Sequence, residues 1–193
     1  MQNHAFCEAM LDQTLKFWTD FYTGFLGAIG DLVDVVMIGD DLAGQDGPLF
    51  RPAFYREIVK PRQKALVGHI KSLTKAKVWY HTCGGCKVYI PELIDNGVDI
   101  LNPVQTSAQG MDAAELKKEF GRDIVFWGGG VDSQHVLPFE RPARIREDVR
   151  HNVAVFKPGG GYVFNNIHNI QAGVPAENVV AMYEAAYESG FYE

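Results

Sequence analysis

Five short, nearly unbroken apolar runs recur along this chain, and a helical pattern separates each from the next. The runs are Asp34–Ile38, Lys77–His81, Asp99–Leu101, Asp123–Trp127 and Gly161–Phe164. Runs of this length and composition suit parallel strands covered on both faces, because a half-exposed strand would alternate polar with apolar residues. The intervening segments carry helical periodicity and recognisable ends. Leu15, Trp18, Tyr22 and Phe25 repeat at helical spacing ahead of the first run. Arg51–Leu73 has Tyr55, Ile58, Val59, Leu66 and Ile70 on one stripe, with Pro61 set to kink or split it. A short helix spans Pro91–Asn96 and stops at Gly97. Asp112–Glu115 reads as a capping box, with Gly121 as its stop. Arg144–Phe156 presents Ile145, Val149, Val153 and Phe156 on one face. Pro175 and Gly190 bracket the last helix.

A helix followed by five β–α repeats, with no linker to divide them, means an α/β fold with a parallel sheet over residues 1–193 as one domain. Two architectures satisfy that pattern: an open doubly wound sheet, or part of a barrel, since a complete (β/α)₈ barrel takes about 250 residues.

Composition excludes several function classes. A net charge of −6 and scattered Lys and Arg leave no basic face for a nucleic acid. No apolar run approaches the roughly 20 residues of a membrane span. The N-terminal Met1–Ala5 lacks the features of a signal peptide. Three cysteines are too few for a disulfide framework, so the expectation is a reduced, cytoplasmic protein.

The chemistry-bearing residues collect just after each strand: Asp40 and Asp41; His81, Thr82 and Cys83; Asn102 and Gln105; Gly128–Asp132; Asn165, Asn166 and His168. Ligands in parallel α/β folds sit at the carboxyl ends of strands, so this asymmetry locates one site. Its sharpest element is Tyr80–Cys86. Residues two apart on an extended strand end point the same way, so His81 and Cys83 can face one ligand. Imidazole nitrogen with thiolate sulfur is a zinc-type donor set, and catalytic zinc takes three protein ligands; Cys86 or His168 could be the third. The alternative is a buried Cys packed beside a hydrogen-bonding His. Asp40 or Asp41 could act as a general base or cap the following loop. Gly128–Gly130 could admit a phosphate or carboxylate to the backbone, but it lacks a strand–GxGxxG–helix context, and a tight turn is its simpler use. Pro158–Gly161 reads as a helix stop. His4, His69, His135 and His151 have no clustered partners and read as surface or packing residues.

Taken in order, Gly39–Gln45, Phe50–Pro61, His81–Gly84, Gly128–Gln134 and Phe164–Gln171 ahead of Val174–Asn178 resemble the uroporphyrinogen decarboxylase superfamily, from about Gly39 to the C-terminus. The resemblance implies a (β/α)₈ barrel with its site at the C-terminal mouth. The chain then matches about five C-terminal units, a partial TIM barrel whose N-terminal units are not in this sequence. It also implies one of two activities. Corrinoid-branch methyltransferases hold zinc with a His-x-Cys pair and a later Cys, and move a methyl group between a corrinoid and a zinc-activated thiol. His81 and Cys83 match that pair, and His168 stands where the later Cys would be. The decarboxylase branch acts on a tetrapyrrole without metal, and a late His such as His168 lines its cleft.

The resulting expectations are zinc on His81, Cys83 and His168, and catalytic roles for Asp40, Asp41 and His168. Gln105, Gly129, Asp132 and Asn166 are expected to contact substrate. The expected partners are a corrinoid as substrate, a corrinoid protein, and a second copy paired through the open sheet edge. An inactive, self-associating fragment is the remaining alternative.

Overall fold

A computed structural model describes residues 3–192. Helix α1 (His4–Ile29) opens the chain, its N-terminus capped by Asn3, whose side chain accepts from the Phe6 amide. Five parallel strands follow: β1 (Val35–Gly39), β2 (Lys77–His81), β3 (Ile100–Asn102), β4 (Val125–Trp127) and β5 (Tyr162–Val163). A minimal antiparallel hairpin, Ala43–Gly44 with Gly47–Pro48, stands on the loop after β1. The longer helices are α2 (Lys60–Leu73), α3 (Ile90–Asp95), α4 (Ala113–Phe120), α5 (Pro142–Phe156) and α6 (Ala176–Ser189).

The strand order is β1-β2-β3-β4-β5, each strand hydrogen-bonded to the next in the chain. A doubly wound sheet reverses its order at a switch point; this one never does, so it winds as a barrel wall. Strand register sorts the side chains into two faces. Val36, Val78, Tyr80, Leu101 and Phe126 are buried towards the helices. Met37, Trp79, His81, Asn102 and Trp127 lie on the opposite, concave side. The core is therefore a layer between sheet and helices, while the concave face stays open, with Met37 64% exposed. The expected partial barrel is what the chain forms.

Local departures from expectation have physical causes. The Arg51–Leu73 segment is continuous but changes pitch: Pro52–Phe54 is α-helical, Tyr55–Val59 is a π-helical turn, and α2 begins at Lys60. In the wider turn Lys60 N–H reaches back five residues to the Tyr55 carbonyl, and Pro61, which has no N–H to give, follows in the first turn of α2. In α1 the packed residues are Cys7, Tyr22 and Leu26, so Trp18 and Phe25 of the expected stripe remain substantially exposed. Asp112 caps α4 by accepting from Glu115 N–H, yet Glu115 pairs with Lys87 rather than closing a reciprocal box.

A candidate metal centre at the strand ends

The strand ends bring together residues far apart in sequence. His81 ends β2 and lies opposite Gly39 of β1 and Asn102 of β3. Gly39 is required there, because a Cβ would sit 2.8 Å from both the His81 Cβ and its carbonyl oxygen. The loop after β2 is then held at every step. Thr82 Oγ1 accepts from Leu42 N–H at 3.0 Å, and Thr82 N–H donates to the Asn102 carbonyl at 2.8 Å. Cys83 N–H donates to Asp41 Oδ1 at 2.9 Å, and Gly84 N–H donates to Gln105 Oε1 at 2.8 Å. A loop with its amides so occupied presents Cys83 in one position.

His81 Nε2 and Cys83 Sγ lie 3.3 Å apart, and the His168 ring joins them. One donor atom from each of His81, Cys83 and His168 falls within 4.8 Å of the others. Tetrahedral zinc with bonds of 2.0–2.3 Å places its ligand atoms about 3.5 Å apart. The His–Cys pair already meets that spacing; rotation of the exposed His168 side chain would close the remaining gap of about 1 Å. His168 sits on the irregular segment after β5 with φ 61, a left-handed conformation uncommon outside glycine that clusters at functional sites. Cys86 does not join: it is fully buried in the core, and burial pushes its thiol up to about 12. Of the two candidate third ligands, His168 is the one the fold supplies.

The tautomer of His81 follows from its neighbour. Asn102 is 4% exposed, and its Nδ2 donates to the Trp127 carbonyl at 2.9 Å. That leaves Asn102 Oδ1 facing His81 Nδ1 at 2.7 Å, so Nδ1 must carry the proton. The Nε2 lone pair is then directed at the Cys83 side, the arrangement in which an outer partner orients a metal-binding imidazole. Burial, reinforced by the Asp41 carboxylate, pushes the Cys83 thiol up to about 11. The thiol therefore keeps its proton at neutral pH unless a cation stabilises the thiolate.

The remaining predicted residues divide. Asp41 lines the cleft beside Cys83, whereas Asp40 lines a separate groove with Arg62, Gln63 and Tyr80. Desolvation and then Asp41 hold the Asp40 carboxyl above the usual carboxylate range. Gln105 lines the cleft. Asp132 accepts from Gln134 N–H, His135 N–H and His135 Nδ1, capping its own loop. Gly129 is buried in a turn, and its N–H is taken by the Pro103 carbonyl; Gly128 and Gly130 donate to Val163 and Asn165. That turn has no free amide for an anion. Asn166 is buried and donates to the His168 carbonyl, holding the loop that carries this imidazole.

The cleft, of about 460 Å³, also draws on residues to which the sequence assigned no role: Gln45, Ser133, Gln134 and Gln171. Asn102 was visible only as a polar residue at a strand end; register with His81 is the signal that gives it a task.

Among known proteins, the chain matches the uroporphyrinogen decarboxylase (URO-D) family over residues 5–189. It is 30% identical to a uroporphyrinogen decarboxylase of Psychromonas ingrahamii over 190 residues, 95% of this chain and 50% of that protein. It is also 30% identical to a uroporphyrinogen decarboxylase of Actinobacillus succinogenes over 150 residues, 78% of this chain and 39% of that protein. Its fold is similar to a methyltransferase from Methanosarcina mazei, with a TM-score of 0.69 and 22% identity over 90% of this chain and 48% of that one. The chain thus spans about half the length, or less, of these proteins. With that match running over nearly its whole length, this chain belongs to the URO-D family.

Proposed function

We propose that His81, Cys83 and His168 bind zinc, and that this centre serves methyl transfer between a corrinoid and a thiol or similar acceptor. The observation that carries the reading is the convergence of three soft or borderline donors, brought from after two separate strands to within 4.8 Å of one another. Zinc bound there would supply Lewis acidity, lowering the pKa of a thiol held beside it. The chain's own residues do the rest. Asn102 keeps the proton on His81 Nδ1, the held loop fixes Cys83, and Asn166 supports His168. Asp41 stands close enough to Cys83 to accept a proton released at the centre. A corrinoid, free or carried by a partner protein, would approach the open concave face, and residues 1–193 act in it as one unit.

A second reading has its own support: the curated relatives described above are named uroporphyrinogen decarboxylases. That reading gives the His81–Cys83–His168 cluster no metal to hold, and the cluster favours the first. Two variants separate them. Methyl transfer at a zinc centre requires both Cys83 and His168, so Cys83→Ala and His168→Ala abolish zinc binding and activity alike. Metal-independent decarboxylation survives Cys83→Ala and fails with His168→Ala.

A further inference from the structure

Helix α1 is apolar on two sides. One side packs into the chain through Cys7, Tyr22 and Leu26. The charged residues Glu8, Asp12, Lys16 and Asp20 run down the helix as a separate column at i,i+4 spacing; Arg62 reaches Asp12 at 2.6 Å, and Lys16 pairs with Asp20. The second apolar side faces outward. Phe6 is 67% exposed, Phe17 62% and Met10 50%, with Phe21, Phe25 and Trp18 at 45%, 44% and 39%. Single exposed apolar residues need no explanation, but large ones on successive turns of one helix form the kind of patch that marks an interaction surface.

The pattern on that side is symmetric. Phe6, Met10, Thr14 and Trp18 form one ridge at i,i+4 spacing, and Gln13, Phe17, Phe21 and Phe25 form the next. Reversing the helix about the point between Leu15 and Lys16 exchanges Phe6 with Phe25, Met10 with Phe21, Thr14 with Phe17 and Gln13 with Trp18. Each ridge thereby becomes the other, which is the self-complementarity a two-fold interface requires. A hollow lies along the ridges, lined by Phe6, Ala9, Met10, Gln13, Thr14 and Phe17. An antiparallel second copy seats its own ridge there, as in i±4 ridge-into-groove packing with the helices crossing at about 50°. The side chains suit burial. Thr14 Oγ1 donates to the Met10 carbonyl at 2.9 Å, so its hydroxyl is satisfied within the helix. Phe21 and Phe25 stack at 5.4 Å, and Trp18 packs edge-on against Phe17 and Phe21, so these rings have little freedom left to lose. Neither ridge carries a charge. The exposed area of the large residues is roughly 600 Å² per copy, taking about 200 Å² for a whole ring side chain. A pair then buries about 1,200 Å², the lower end of a standard interface.

We propose that this face of α1 is an interface with a second copy of the chain, antiparallel and two-fold symmetric about the point between Leu15 and Lys16. The interface is independent of the metal centre and distinct from the open edge of β1. Chains carrying Met10→Cys and Phe21→Cys are oxidised mildly, alone and mixed, beside the unaltered chain with its free Cys7, Cys83 and Cys86 as background. The symmetry sets Met10 against Phe21 of the second copy, whereas either residue lies about 16 Å of helix from its own counterpart. The mixture is therefore expected to cross-link at least about tenfold faster than either variant alone. Phe17→Glu in both chains buries a charge at the centre of the seam and abolishes that cross-link, with circular dichroism confirming that the exposed substitution leaves the fold intact. Met37→Lys, beside the open edge of β1, leaves the cross-link unchanged. Equal rates alone and mixed, a cross-link that survives Phe17→Glu, or one lost in Met37→Lys overturns the interface. So does a monomer in sedimentation at every concentration tested, which would leave this face to a different polypeptide segment.

Discussion

Replacing Asn102 tests whether the strand-end histidine is prepared for a metal or merely packed. In Asn102→Leu the branched shape of the side chain is kept, but the acceptor for His81 Nδ1–H and the donor to the Trp127 carbonyl both disappear. His81 is then free to move its proton to Nε2, the atom facing Cys83, and must return it before binding a metal. Loss of such an outer partner lowers metal affinity by about 10–100-fold, or roughly 1.4–2.7 kcal/mol at 1.36 kcal/mol per decade. Folding stability falls as well, by about 1–3 kcal/mol, because the Trp127 carbonyl is left unpaired. Asn102→Asp separates the two effects: its carboxylate still accepts from Nδ1–H but cannot donate to Trp127. It should therefore share the stability loss while keeping zinc affinity near that of the unaltered protein. The assay is competition for zinc against a chromophoric chelator at fixed pH, with circular dichroism confirming the fold of each variant. The tautomer argument is refuted if Asn102→Leu binds zinc within twofold of the unaltered chain, or if Leu and Asp variants lose equal affinity.

Other consequences are equally direct. The carboxyl of Glu92 is held below its usual value of 4.5 by Lys60 first and then Arg56. Its contribution, no more than about 1 kcal/mol for a partly exposed cluster, is fully present above pH 4.5 and is lost as pH falls through the lowered value. Urea midpoints of the unaltered chain and Glu92→Gln should accordingly differ at pH 7 and converge in acid; a constant difference contradicts this. Gly128→Ala places a Cβ 1.9 Å from the Pro103 carbonyl oxygen at φ 135 and should cost more than about 3 kcal/mol, whereas Gly24→Ala, in open space within α1, should gain up to about 1 kcal/mol. Thermal melts of the pair check both signs. The outer edge of β1 has no strand partner among the described residues, and Met37 and Val35 are exposed beside it. Self-association through that edge is expected, and a monomer in sedimentation at every concentration tested would contradict it.

Much of this was legible because parallel strands leave a plain mark: the five apolar runs correspond to the five strands within two residues at each end. Strand order was not legible from periodicity, since local patterns carry no information on which strand neighbours which. The His81–Cys83 pair was readable because the two-residue repeat of a strand puts both on one side. The residues alone left Cys86 and His168 open as the third donor and the resemblance singled out His168, which is held there by an irregular loop and a positive φ that no propensity announces. Asp132 and Gly129 were ambiguous for a common reason. Capping residues and tight turns use the same residue types as ligand sites, and only the hydrogen-bond partners tell them apart. The Gln45–Gln105–Gln134 chain escaped notice because each glutamine comes from a different loop.

The central claim is that three side chains from two strand ends form one metal centre. Zinc stoichiometry by elemental analysis, after loading and exhaustive buffer exchange, tests it most directly. The account predicts one zinc per chain, lost in Cys83→Ala and in His168→Ala but retained in Cys86→Ala. A chain that takes up no zinc, or one whose zinc survives Cys83→Ala, contradicts it.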